Sequence, residues 1–112
     1  MRLIDQYYCF DVPYENTALE TRFYEYMGKV VYDIYGSNNG ISFKLGRYTT
    51  SKKADKVLEM VRKQYADLQA TKTTFNLNVA HSYMTRSVID TYIDKVEKLE
   101  VFKFPSDEEV KA

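Results

Sequence analysis

The sequence predicts an α+β fold in which an antiparallel meander sheet of about four to five strands is covered by two helices. Three segments between residues 19 and 45 alternate apolar with polar side chains and are separated by turn signals. Two later segments, 51–69 and 82–99, repeat apolar residues at helical spacing. Strands followed by helices are typical of a two-layer architecture, so we expect residues 1–112 to form a single domain.

The first half of the chain contains the predicted strands. They cover residues 2–10, 19–27, 30–35 and 41–45. The first is expected to end at Asp11-Val12-Pro13-Tyr14, because Pro13 restricts its own backbone and that of the residue before it. Gly28-Lys29 predicts a tight turn, and Asn39-Gly40 predicts a hairpin turn because both residue types tolerate positive φ.

The second half contains the predicted helices. Residues 49–51, Thr-Thr-Ser, are expected to cap the first helix, which covers 51–69. Residues 70–74 predict a linker, and the alternation of Phe75, Leu77 and Val79 predicts a short strand. The second helix is expected over 82–99, followed by an extended segment over 101–105 and a mobile acidic tail from about 106.

The composition excludes several classes of function. Sixteen basic residues balance sixteen acidic ones, so no global field draws the chain to nucleic acid or membrane. A single cysteine, Cys9, which we expect to be buried within a strand, fits a reducing cytosol. Cys9 and His81 are the only catalytic candidates with a distinctive signature, and no local motif orients either one. We therefore expect no enzymatic activity, no cofactor, no metal and no membrane segment.

The charge is unevenly distributed along the chain. Residues 44–63 carry seven cations against Asp55 and Glu59, whereas residues 1–27 and 90–112 are acidic. Lys52 and Lys53 open the first helix, where the macrodipole disfavours cations, and such an unfavourable local choice can mark a functional surface. The alternative interpretation is a solvated polar face. The eleven tyrosines likewise predict either a recognition surface or half-buried strand positions.

Four segments carry a resemblance to a known family: MRLIDQ, DVPYE, LGRYTTSKKADKVLEMVRKQY and FKFPSDEEV. They resemble small accessory proteins of phages, prophages and conjugative elements of low-GC Gram-positive bacteria, over about half of the chain. This chain has Tyr7-Tyr8 where relatives commonly have Asp-Gly, and Lys52-Lys53 where they tend to have Glu-Glu. The resemblance implies a mobile-element protein of the anti-defence or anti-CRISPR type, acting in the cytoplasm of a bacterial host cell.

The resulting hypothesis is a non-enzymatic inhibitor, a monomer or a homodimer, that binds a host defence protein. A CRISPR effector nuclease or its guide complex is the expected target. One alternative is a nucleic-acid-binding accessory protein of phage replication or transcription, and another is a sponge for a nucleotide signal. The predicted partner-binding residues are four aromatic anchors and five cations: Tyr7, Tyr8, Tyr24, Tyr26, Lys44, Arg47, Lys52, Lys53 and Lys56.

Overall fold

The structure is a computed structural model that describes residues 1–80 and 85–112, with residues 77–80 described by their backbone alone. Within these residues six strands and two helices are present: β1 (Arg2–Ile4), β2 (Asp11–Pro13), β3 (Ala18–Tyr26), β4 (Lys29–Asn38), β5 (Ile41–Tyr48), α1 (Ser51–Ala80), α2 (Arg86–Leu99) and β6 (Val101–Lys103). Single 3₁₀ turns cover Tyr14–Asn16 and Asp107–Glu109. The fold is α+β with two helices, as predicted, but its strands form two sheets rather than one.

The central sheet is an antiparallel meander, as predicted, but it has three strands, in the order β3-β4-β5, and not the expected four to five. A two-residue turn joins β3 to β4, with positive φ at Met27 (52°) and Gly28 (80°). This is the backbone that a type I′ hairpin turn requires, and it lies one residue before the predicted position. The turn between β4 and β5 uses Asn39 (φ 52°) and Gly40 (φ 77°), as the sequence predicts.

The two ends of the chain build a second sheet in the order β2-β1-β6, with β1 antiparallel to β2 and parallel to β6. The prediction of one first strand over 2–10 was therefore wrong, because β1 ends at Ile4. The buried carboxylate of Asp5 turns the chain there by accepting the backbone N–H groups of Tyr7 (3.2 Å), Cys9 (2.7 Å) and Phe10 (2.8 Å).

The first helix begins where predicted but is longer. Thr50 caps α1 by accepting the N–H of Lys53 at 3.2 Å. α1 then continues for 30 residues, through the segments predicted as a linker and a short strand. No glycine or proline interrupts residues 70–79, and Thr71, Thr73 and Thr74 donate their hydroxyls to backbone carbonyls four residues earlier. Packing of Phe75 against Tyr92, with ring centroids 5.7 Å apart, favours the helix although threonines are weak helix formers.

The second helix packs mainly against α1 and β6, and α1 covers the meander sheet. α2 begins after the N-cap residue Thr85, so the part of its predicted range over 82–84 lies outside the described residues. The core between the layers joins the inner face of the meander to one side of α1. Its main members are Ile34, Phe43, Leu45, Tyr48, Ala54, Val57, Val61 and Leu68. Among the described residues, no helix combines the length and hydropathy needed to cross a bilayer.

The closing segment packs against the fold. The Asp107 carboxylate accepts the backbone N–H of Thr49 at 2.7 Å and the Lys53 ammonium at 3.1 Å. Val110 is only 4% exposed and belongs to the core. The prediction of a mobile tail from about residue 106 was therefore wrong. It rested on the acidic composition of the segment, which does not indicate that Val110 is buried or that Asp107 has fixed partners.

Candidate binding face

The face of the meander sheet that points away from α1 carries an aromatic and charged surface, which we call the outer face. Because alternate residues of a strand share a face, the register places Arg22 of β3 and Arg47 of β5 on either side of Asp33 in β4. The charged and aromatic members of the outer face are Glu20, Arg22, Tyr24, Tyr26, Lys29, Asp33, Tyr35, Lys44 and Arg47.

Asp33 is the buried residue of this face that holds the side chains of Arg47 and Tyr24 in place. Its carboxylate is fully buried and receives a bidentate pair of hydrogen bonds from Arg47, each 2.9 Å long. The Tyr24 hydroxyl donates to the same carboxylate at 2.6 Å. Burial alone would raise the pKa of Asp33, but these bonds from Arg47 and Tyr24 hold that pKa below its ordinary value. The group is therefore ionised at neutral pH and its partners are held in place.

The tyrosines and arginines above Asp33 are also fixed by one another. The Arg47 guanidinium lies over the Tyr26 ring at 4.4 Å, and that of Arg22 lies over the Tyr35 ring at 4.5 Å. The Tyr24 and Tyr35 hydroxyls are 2.7 Å apart, and Tyr35 donates because the Tyr24 proton points to Asp33. Burial and these hydrogen bonds raise the pKa of Tyr24, so its hydroxyl stays neutral.

The outer face is accessible although it is ordered. Tyr24 is 37% exposed and Tyr26 is 51% exposed. Its two arginines are matched by acids, since Arg22 pairs with Glu20 and Arg47 pairs with Asp33. The surface therefore combines exposed aromatic area with two arginines that are already paired with acids.

Tyr7 and Tyr8, also predicted as anchors, lie in the turn after β1 and not on the outer face. Both are exposed, and Tyr8 has a φ of 59° with the Lys103 ammonium 3.8 Å from its ring centroid. Gln6 fastens this turn to β5 by accepting the backbone N–H of Arg47 at 2.9 Å. Cys9 lies in the same turn and is exposed, so its predicted burial within a strand was wrong.

The predicted basic patch is divided between two layers of the fold. Lys44 and Arg47 belong to the outer face, whereas Lys52, Lys53 and Lys56 lie on α1, across the sheet from it. Lys53 is engaged by the carboxylate and the backbone carbonyl of Asp107. Arg47 is bound to Asp33, so it does not join the lysines in a common phosphate site. His81 lies outside the described residues.

Five charged or aromatic residues of the outer face were missing from the prediction: Glu20, Arg22, Lys29, Asp33 and Tyr35. Pairing the strands around the Met27-Gly28 turn would have placed Arg22 opposite Asp33, and this opposition of charges was the available signal. Tyr35 could have been found by the same counting, since it lies opposite Glu20.

Outside the outer face, the described residues form an apolar groove but no cluster of metal-binding side chains. An apolar groove of about 310 Å³ lies between α1 and α2, lined mainly by Phe75, Tyr92, Ile93 and Val96. In residues 1–80 and 85–112, no three His, Cys, Asp or Glu side chains gather as a metal site. No protein-family model, no curated protein and no solved structure matches this chain.

Proposed function

We propose that this chain is a non-enzymatic binding protein that engages another protein through the outer face. In keeping with the resemblance of its sequence to mobile-element proteins, the proposed partner is a host defence factor that the chain inhibits, with a CRISPR effector nuclease as the candidate. The observation that carries the proposal is the pair of exposed tyrosines, Tyr24 and Tyr26: the buried carboxylate of Asp33 holds the first, and the guanidinium of Arg47 lies over the second.

The residue types and their rigidity support a protein partner. Tyrosine and arginine are enriched among the residues that dominate the energy of protein interfaces. Side chains that are ordered before binding lose less conformational entropy when the complex forms. Asp33 provides this order by fixing Arg47 and Tyr24, and Arg47 in turn lies over the ring of Tyr26.

The charge balance supports a protein over a nucleic acid. A nucleic-acid surface binds phosphates with Lys and Arg and releases counterions when it does so. On the outer face, Arg22 and Arg47 are already paired with Glu20 and Asp33, which leaves Lys29 and Lys44 as the remaining cations of this face. Exposed tyrosines can stack on bases, so nucleic-acid binding is the competing outcome that the experiment has to separate.

The test is affinity capture, with and without nuclease treatment, from the lysate of a Gram-positive host that expresses its defence systems. Three forms of the tagged chain are compared: wild type, Tyr26→Ala and Ile41→Ala. Ile41 is a matched control because it is an exposed apolar residue of the same sheet, 66% exposed, and is not on the outer face. We expect one protein to be retained in near-stoichiometric amount by the wild type and by Ile41→Ala.

Tyr26→Ala should weaken that interaction by about 30-fold, the loss that corresponds to an interface anchor. Equal retention by Tyr26→Ala and Ile41→Ala would contradict the assignment of the outer face. Recovery that disappears after nuclease treatment, together with binding that weakens steeply with salt, would instead establish the nucleic-acid alternative.

A further inference from the structure

The outer edge of β3 is open along the whole strand. β3 forms one border of the meander, with β4 on one side and no strand of the described chain on the other. Residues 20–26 are all exposed, and α1 packs against β4 and β5 on the inner face. An uncovered edge of nine residues is a template for pairing with another strand.

The geometry of the hairpin shows which backbone groups face outward. The two-residue turn at Met27-Gly28 makes Tyr26 and Lys29 a hydrogen-bonded pair, so the even-numbered residues of β3 direct their N–H and C=O groups to β4. Residues 19, 21, 23 and 25 therefore direct theirs away from the sheet. No backbone hydrogen bond connects these outward groups to another element of the described chain.

The side chains along this edge are complementary to themselves when the strand is reversed. In the segment 19–23, the residues at equal distances from Thr21 are complementary: Glu20 and Arg22 carry opposite charges, and Leu19 and Phe23 are both apolar. If two copies pair antiparallel with Thr21 opposite Thr21, each Glu20 lies opposite an Arg22 on the outer face. Each Leu19 then lies opposite a Phe23 on the inner face, where Phe23 is 72% exposed in the single chain.

We propose that two copies of this chain form a symmetric dimer through their β3 edges, centred on Thr21. Thr21 directs its backbone groups outward, so the central pair of this register is a hydrogen-bonded pair. The two meanders then form one continuous six-stranded sheet with both outer faces on the same side. If the outer face binds a partner as proposed above, the dimer presents two such faces side by side; that consequence rests on the proposed function, whereas the dimer does not.

A charge-swap experiment tests both the dimer and its register. Sedimentation equilibrium of the wild type should give twice the 13.2 kDa mass of one chain. Concentrations up to about 200 µM are used because small interfaces bind weakly. Glu20→Arg and Arg22→Glu each place like charges opposite one another twice in the dimer. Either change should raise the dissociation constant about 10- to 100-fold. The double variant Glu20→Arg/Arg22→Glu restores opposite charges and should restore the dimer.

Two further measurements make the result independent of misfolding. Mixing the Glu20→Arg and Arg22→Glu chains should give a heterodimer, because each cation of one then faces an acid of the other. Thr21→Pro removes an outward N–H that β4 does not use, so it should keep the far-ultraviolet circular dichroism of the wild type and sediment as a monomer. A monomeric wild type, or a dimer that the charge reversals leave intact, would overturn the proposal.

Discussion

At the scale of single residues, the outer face depends on one buried carboxylate. Asp33 has no solvent exposure, and its hydrogen bonds come from Arg47 and Tyr24. Removing one partner of a buried ion pair is costly because the remaining charge is left without compensation. Asp33 is therefore important both for the stability of the sheet and for the position of the tyrosines above it.

The lowered pKa of Asp33 predicts a specific dependence of stability on acid. A carboxyl whose pKa is lower in the folded than in the unfolded chain stabilises the fold fully above the unfolded pKa, about 3.9 for aspartate. That contribution is lost as the pH falls through the folded pKa. Asp33→Asn should lower the free energy of unfolding by about 3 kcal/mol at neutral pH, and its stability should fall less steeply than that of the wild type below about pH 4.

Urea unfolding followed across this pH range measures both effects. The control is Asp90→Asn, an exposed position on α2, which should change the free energy of unfolding by less than about 0.5 kcal/mol. Identical acid slopes for the wild type and Asp33→Asn would show that the Asp33 network does not contribute to stability.

At the scale of elements, the sequence predicted local features better than those set by packing. The Asn39-Gly40 turn and the alternation of β3, β4 and β5 follow from backbone preferences, and the structure confirms them. The extension of α1 to Ala80 was missed because the β-branched threonines of residues 71–74 are weak helix formers, and their favourable context comes from α2. The pairing of β1 with β6 joins residues about one hundred positions apart, which no local pattern can indicate.

Gly36 of β4 is required because the side chains of Phe43 in the neighbouring strand and of Thr17 pack closely against its backbone. A Cβ at this position would lie 2.6 Å from Cε2 of Phe43 and 2.8 Å from Cγ2 of Thr17. Phe43 is itself buried and cannot move aside freely. We expect Gly36→Ala to lower the free energy of unfolding by about 2 kcal/mol, as overpacking of a core does, measured by urea denaturation.

A double-mutant cycle identifies the cause of this loss. Phe43→Leu shortens the side chain that the new methyl group would meet, so Gly36→Ala should cost less in the Phe43→Leu background than in the wild type. Strictly additive costs would mean that the effect of Gly36→Ala arises from the strand backbone and not from this contact.

At the scale of the whole molecule, the chain is elongated. It measures 60 × 32 × 19 Å with a radius of gyration of 17.0 Å, against about 13 Å for a compact chain of similar length. The sequence placed Tyr24, Tyr26, Lys44 and Arg47 in one site, and the meander does bring them together. The sequence pattern could not show that Lys52, Lys53 and Lys56 lie in the opposite layer, because the side on which a helix packs depends on the core and not on local charge.

The closing segment is expected to stabilise the whole molecule, since it bridges elements that are distant in sequence. Asp107 fixes Thr49 and Lys53 at the junction of β5 and α1, and Val110 fills part of the core. Deleting residues 106–112 should lower the free energy of unfolding by at least about 2 kcal/mol, through lost apolar burial and lost hydrogen bonds. Deleting only Lys111 and Ala112, which are exposed, is the matched control and should leave it unchanged within error. Equal stability of the two truncated chains in urea would mean that residues 106–110 behave as the mobile tail that their composition suggests.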